Sequence, residues 1–238
     1  MPLLDKFRGG DDRAPARLAA GTAAAGAAPA PVGASLRASN GLKDFLWLVG
    51  DVKGGRLLDL GPVSQATVSF FTERGFKVYT EDVLRGWKEF LAAEEKRLRA
   101  APVAELGGAP PEEFNKTALA GRFVSANVTY PAETFHAILL WDLLDYLDAE
   151  LLPPLVARLH ALMQPGGVML GLFHNRKPEA FHRYRVADMA NLELAPAPVL
   201  LPHARQFQNR DLMNLFSAYR SSKTFVGRDQ IREALFLK

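Results

Sequence analysis

The stretch Gly55-Arg56-Leu57-Leu58-Asp59-Leu60-Gly61-Pro62-Val63-Ser64-Gln65-Ala66-Thr67-Val68-Ser69-Phe70-Phe71 decides the fold. Arg56 to Leu60 is a short apolar run with one acid, Asp59, near its end. Gly61-Pro62 breaks that run. Ser64 or Pro62 then opens a helix whose apolar face is Ala66, Val68, Phe70 and Phe71. Gly75 closes the helix, and Lys77-Val78-Tyr79-Thr80 reads as the next strand, ending in Glu81-Asp82. Strand, turn, helix and strand make a parallel βαβ unit, and open parallel sheets bind ligands at the carboxyl ends of their strands.

Moving toward the carboxyl terminus, Leu84 to Arg99 has helical spacing, with Trp87, Phe90 and Leu91 on one face. Residues 101–111 are a loop rich in Ala, Pro and Gly, and Pro110-Pro111-Glu112-Glu113-Phe114 starts a short helix. Gly121-Arg122-Phe123-Val124-Ser125-Ala126-Asn127-Val128 is the best candidate for a third strand. Phe135-His136-Ala137-Ile138-Leu139-Leu140-Trp141-Asp142 is a fourth, fully buried one. A helix from Glu150 to Met163 follows, entered through Pro153-Pro154. Gln164-Pro165-Gly166-Gly167 then ends it and turns the chain into a fifth strand that leaves at Phe173-His174. His182 to Val186 and Leu192 to Leu194 read as two short strands of an insertion over residues 176–204. Asn209 to Phe216 is a helix, and the last two strands form a terminal hairpin. Toward the amino terminus, Asn40 is the expected cap of a helix carrying Leu42, Phe45, Leu46 and Val49.

Leu57-Leu58-Asp59-Leu60-Gly61, Asp82, the Phe135–Leu147 stretch and the Pro-Gly-Gly turn together resemble the class I S-adenosylmethionine-dependent methyltransferases. The resemblance spans residues 40–238. It implies a Rossmann-like three-layer α/β sandwich, with a mostly parallel seven-stranded sheet and an antiparallel carboxyl-terminal hairpin. It implies S-adenosylmethionine as cofactor, with Asp59, Gly61, Asp82, Asn127 and Trp141 around it. Asp82 would accept the ribose hydroxyls, with Glu81 as the adjacent alternative. Asn127 stands where the family often has an acid for the adenine amino group. The family's turn is usually Asp-Leu-Gly-x-Gly-x-Gly. Here its three glycine positions hold Gly61, Val63 and Gln65, so two positions at which the backbone should approach the cofactor closely carry side chains. Two functions are therefore carried forward: methylation of a small molecule or a protein, or a methyltransferase-like fold that has lost catalysis and serves as a binding scaffold.

Methyl transfer needs an aligned acceptor, exclusion of water and, for an alcohol or a protonated amine, a base. Candidates for contact with the acceptor are Asp142, Asp145, Tyr146 and His174, with His182 and His203 as further possible bases. No His, Asp or Glu group has metal-ligand spacing along the chain, so no metal is expected. A phosphate-binding lysine turn, a nucleophile elbow and the Asn-Pro-Pro-Tyr-like motif of amino-methylating nucleic-acid enzymes are all missing from the sequence.

The absence of cysteine excludes disulfides, thiolate metal sites and cysteine nucleophiles. Nearly half the residues are apolar (48%), enough for one sizeable core. The formal charge is +3, distributed as +2 over residues 1–40, −4 over 41–174 and +5 over 175–238. The basic carboxyl-terminal quarter suits an anionic substrate. Its cations form no run, so nucleic acid is not indicated. Residues 1–39 are expected to be a disordered tail, because 12 Ala, 5 Gly and 4 Pro among the first 40 residues leave little apolar surface to bury. Leu3-Leu4-Asp5-Lys6-Phe7 at its head is a candidate docking peptide for a protein partner. The Ala-rich run from Ala19 to Ala30 lacks the apolar residues of a secretory signal, and no run is long enough to span a membrane. A cytoplasmic location is expected.

Overall fold

A computed structural model describes residues 33–100 and 115–238. The expected docking peptide at residues 3–7, the rest of the tail to residue 32, and the loop and short helix at residues 101–114 lie outside the described residues.

The first βαβ unit forms as its sequence pattern requires. Strand β2 (Arg56–Asp59), helix α2 (Gln65–Thr72) and strand β3 (Lys77–Thr80) follow in order. Ser64 caps α2 by accepting from the Thr67 N–H. Gly75 sits at φ 83°, in the left-handed conformation that glycine tolerates best, between α2 and β3. Strands β4 (Phe135–Trp141) and β5 (Met163–His174) extend the parallel sheet, and β8 (Ser221–Val226) and β9 (Ile231–Leu237) close it as an antiparallel hairpin. The strand order is β3-β2-β4-β5-β9-β8.

Alternation along the strands builds two cores. Leu57, Ala137, Leu139 and Leu170 point to one face and pack with Phe45 and Phe71, from helix α1 (Asn40–Leu48) and α2. Leu58, Ile138, Leu140 and Met169 point to the other. There they meet helices α3 (Val83–Ala100), α4 (Lys116–Asn127), α5 (Leu152–Leu162) and α6 (Asn209–Leu215). Helix, sheet and helix are the three layers expected.

Three local expectations are corrected. The sheet has six strands rather than seven, because Gly121–Val128 is not a strand but lies in and just after helix α4. Asn115 caps that helix, accepting from the N–H groups of Thr117 and Ala118. Leu119, Ala120, Phe123 and Val124 recur at helical spacing and are buried, and the Phe123 ring packs edge-on against Trp87 of α3. Helix α1 is capped by Ser39, whose side chain accepts from the Leu42 N–H, and Asn40 is its first residue. Ser35–Ala38, read from the sequence as tail, forms strand β1 and pairs antiparallel with β7 (Asn191–Pro196). With β6 (His182–Val186) these make a separate sheet in the order β1-β7-β6.

Candidate functional site

Asp59 ends β2 with 1% of its surface exposed. Its Oδ1 accepts from the Gly61 N–H at 3.0 Å and from the Trp141 indole N–H at 2.6 Å. Burial pushes the Asp59 carboxyl up to about 6, against those two hydrogen bonds. Trp141 is the last residue of β4 and holds φ at 53°, an uncommon conformation for a bulky side chain. That turn lays its indole over the first glycine of the motif. A Cβ on Gly61 would come within 2.8 Å of the ring. The outer face of the indole stacks on Tyr184 of β6, with centroids 6.2 Å apart and planes at 11°.

A hollow does lie where the strand ends predict it, with Gly61, Asp82 and Trp141 on its wall. Phe181, Arg183, Tyr184 and Leu200, from the second sheet and its flanks, close it from the other side. Its volume is about 40 Å³. That is room for one to three waters, whereas ligand pockets run from roughly 300 to 1,000 Å³. Val63 and Gln65 do not fill it, since both are exposed and Gln65 bonds Ser69 instead. The Trp141 ring occupies the cradle over Gly61. As they stand, these residues do not fit S-adenosylmethionine. Asp82 is on the wall, but its Oδ1 accepts from the Arg85 N–H at the start of α3 and its Oδ2 lies 3.4 Å from Arg85 Nε. Asn127 is elsewhere. It is exposed near the end of α4, with its amide donating to the Phe123 carbonyl, so its expected place at a strand end beside the adenine is corrected.

The residues expected to face the acceptor converge beside this hollow and are buried rather than rim-exposed. His174 ends β5, and Asp142, Asp145 and Tyr146 follow β4 in a single 3₁₀ turn. Asp145 Oδ2 accepts from the His174 backbone N–H at 2.7 Å and meets the ring Nδ1 at 2.9 Å. The ring Nε2 faces the Tyr184 hydroxyl at 3.3 Å. Burial pushes the Asp142 carboxyl up to about 7 against the pull of the His174 ring, and pushes Asp145 up as well. Burial alone would lower His174, but the Asp145 hydrogen bond and the Asp142 charge raise it. His203 joins the group from the loop after β7, and burial lowers its pKa. The sequence marks His203 only as one possible base among several. Its ring comes within 6.0 Å of the His174 ring, centroid to centroid. His182 lines the hollow itself.

A family model described as a methyltransferase domain matches residues 36–219. The chain belongs to this methyltransferase-domain family. No curated protein sequence matches this methyltransferase-family chain. Among solved structures it is similar to a 1,6-didemethyltoxoflavin-N1-methyltransferase from Burkholderia thailandensis, seen with 1,6-didemethyltoxoflavin and S-adenosylhomocysteine. Identity is 18% over 83% of this chain and 76% of that one, with a TM-score of 0.46. It is also similar to a SAM-dependent methyltransferase from Methanosarcina mazei, at 12% identity over 78% and 93% of the two chains and a TM-score of 0.43. A TehB-like SAM-dependent methyltransferase from Corynebacterium glutamicum matches at 12% identity over 83% and 87%, with a TM-score of 0.42. No described helix is long and apolar enough to cross a membrane.

Proposed function

We propose that this chain methylates a small molecule or a protein with S-adenosylmethionine, and that the Trp141 ring over Gly61 gates the cofactor seat. The reading is carried by one observation: Gly61, Asp82 and Trp141 surround a single hollow at the carboxyl ends of β2, β3 and β4. Parallel sheets of this kind bind ligands there. Arg183 on the hollow's wall and the +5 charge of residues 175–238 favour an anionic acceptor. A cytoplasmic site of action and a protein partner for residues 3–7 belong to the same proposal.

Calorimetric titration with S-adenosylhomocysteine tests it. If the indole is a gate, Trp141→Ala binds at least tenfold more tightly than the wild type, because the competent form no longer has to be opened. Asp82→Asn binds more weakly than the wild type. Weaker binding by Trp141→Ala would make the indole a contact rather than a gate and leave methylation standing. No binding by either protein at millimolar ligand, with both folded, would reject methylation.

That last outcome would favour the second reading, a methyltransferase fold kept as a binding scaffold. One observation supports it: the closure of the hollow to about 40 Å³.

A further inference from the structure

Beside the hollow, three potential metal ligands come together from three separate segments. Asp145 follows β4, His174 ends β5 and His203 lies in the loop beyond β7. One ring nitrogen of each histidine and one carboxylate oxygen of Asp145 all lie within 4.8 Å of one another. Ligand atoms about 2.0–2.1 Å from a tetrahedral ion sit roughly 3.3 Å apart, so small side-chain rotations bring these three onto one ion.

A second observation points the same way. Asp145 is fully buried, yet its Oδ1 has no hydrogen-bond partner among the described residues, and neither has His203 Nε2. A buried polar atom left without a partner loses its hydration with nothing in exchange. Both orphaned atoms belong to residues of the cluster. The Asp145 Oδ2 bond to the His174 backbone N–H and the Tyr184 hydroxyl near His174 Nε2 supply the outer contacts that orient metal ligands. Two imidazoles and one carboxylate suit a borderline ion such as zinc. Magnesium and calcium prefer oxygen ligands throughout.

We propose that Asp145, His174 and His203 bind one divalent transition-metal ion of the zinc class. The site is independent of whether S-adenosylmethionine binds. Its position next to Asp142 and Tyr184, both on the wall of the hollow, would put the ion at the acceptor's end of that space.

The test uses the full chain stripped with chelator and then titrated with Zn²⁺ alone. One ion per chain should bind and raise the melting temperature, as a ligand of the folded state must. His203→Gln should bind at least tenfold more weakly, and His160→Gln, on α5, should match the wild type. Because Asp145→Asn risks misfolding, Co²⁺ substitution of the wild type gives a separate readout, with the intense ligand-field absorption of a low-coordinate nitrogen and oxygen site expected. Absence of Zn²⁺ binding, equal affinity in His203→Gln and the wild type, or only the weak spectrum of hexaaqua cobalt would each overturn the proposal.

Discussion

Asp59 and Trp141 depend on each other. The carboxylate is desolvated and held by the indole, and the indole is held over Gly61 by the carboxylate and Tyr184. Folding raises the Asp59 pKa from 3.8 to about 6. The folded chain therefore keeps this proton over a range where the unfolded chain has lost it. The resulting stabilisation is full below about pH 4 and disappears as pH rises to about 6. It amounts to roughly 2–3 kcal/mol. Asp59→Asn has no such proton, so the stability of the wild type relative to the variant should fall by that amount between pH 4 and pH 7. Urea unfolding of both proteins across the range checks it, and parallel curves would show that Asp59 titrates normally. The left-handed backbone of Trp141 makes a separate prediction. A non-glycine residue there carries roughly 1–2 kcal/mol of strain. Glycine normally destabilises relative to alanine within a strand. Here Trp141→Gly should be the more stable of the two truncations, by about 1 kcal/mol in urea unfolding. The reverse order would show that the φ of 53° is not held in solution.

At the level of elements, the βαβ unit, the Pro-Gly-Gly turn and the final hairpin were legible because their signals are local. An apolar run, a breaker and a periodic helix lie within a few residues of one another. Helix α4 was not, because Phe123-Val124 are strand formers in a short window, and the cap that settles the matter, Asn115, lies six residues before Gly121. Strand β1 was missed for the opposite reason. Ser35–Ala38 has no apolar periodicity, and its partner β7 lies more than 150 residues away. One acid secures it. Glu233 of β9 is 3% exposed and accepts from the Arg37 guanidinium, the Ser39 hydroxyl at 3.0 Å and the Gly41 N–H. It thus ties β1 and the start of α1 to the main sheet. Glu233→Ala leaves Arg37, 8% exposed, with one of its two carboxylate partners gone. Breaking a buried pair in this way costs about 3–5 kcal/mol. The paired replacement of Arg37 by Met and Glu233 by Leu should cost far less, because no charge is then stranded. Urea midpoints of the two variants decide it, and equal losses would mean that packing, not charge, holds β1 in place.

Across the whole molecule, the second sheet covers the hollow at the carboxyl ends of the main sheet's parallel strands. The Val186 N–H donates to Thr67 Oγ1 of α2, Tyr184 stacks on Trp141, and Phe181 and Arg183 wall the hollow. None of this closure was legible in the chain. Trp141 and Tyr184 are 43 positions apart, and the sequence marks only the first as a site residue. The same holds for Asp145, His174 and His203, which meet because the sheet brings distant strand ends together. If the gate is the stacked pair rather than the indole alone, its halves should not act independently. Tyr184→Ala removes the outer support of the ring and should also tighten S-adenosylhomocysteine binding, by less than Trp141→Ala does. Combined with Trp141→Ala it should add little, because the ring it supports is already gone. A double-mutant cycle by calorimetry would then return a coupling of about 1 kcal/mol or more, the range of residues in direct contact. Strict additivity would mean that Tyr184 influences the seat by some route other than the stack, and that the second sheet is a roof over the site rather than part of its latch.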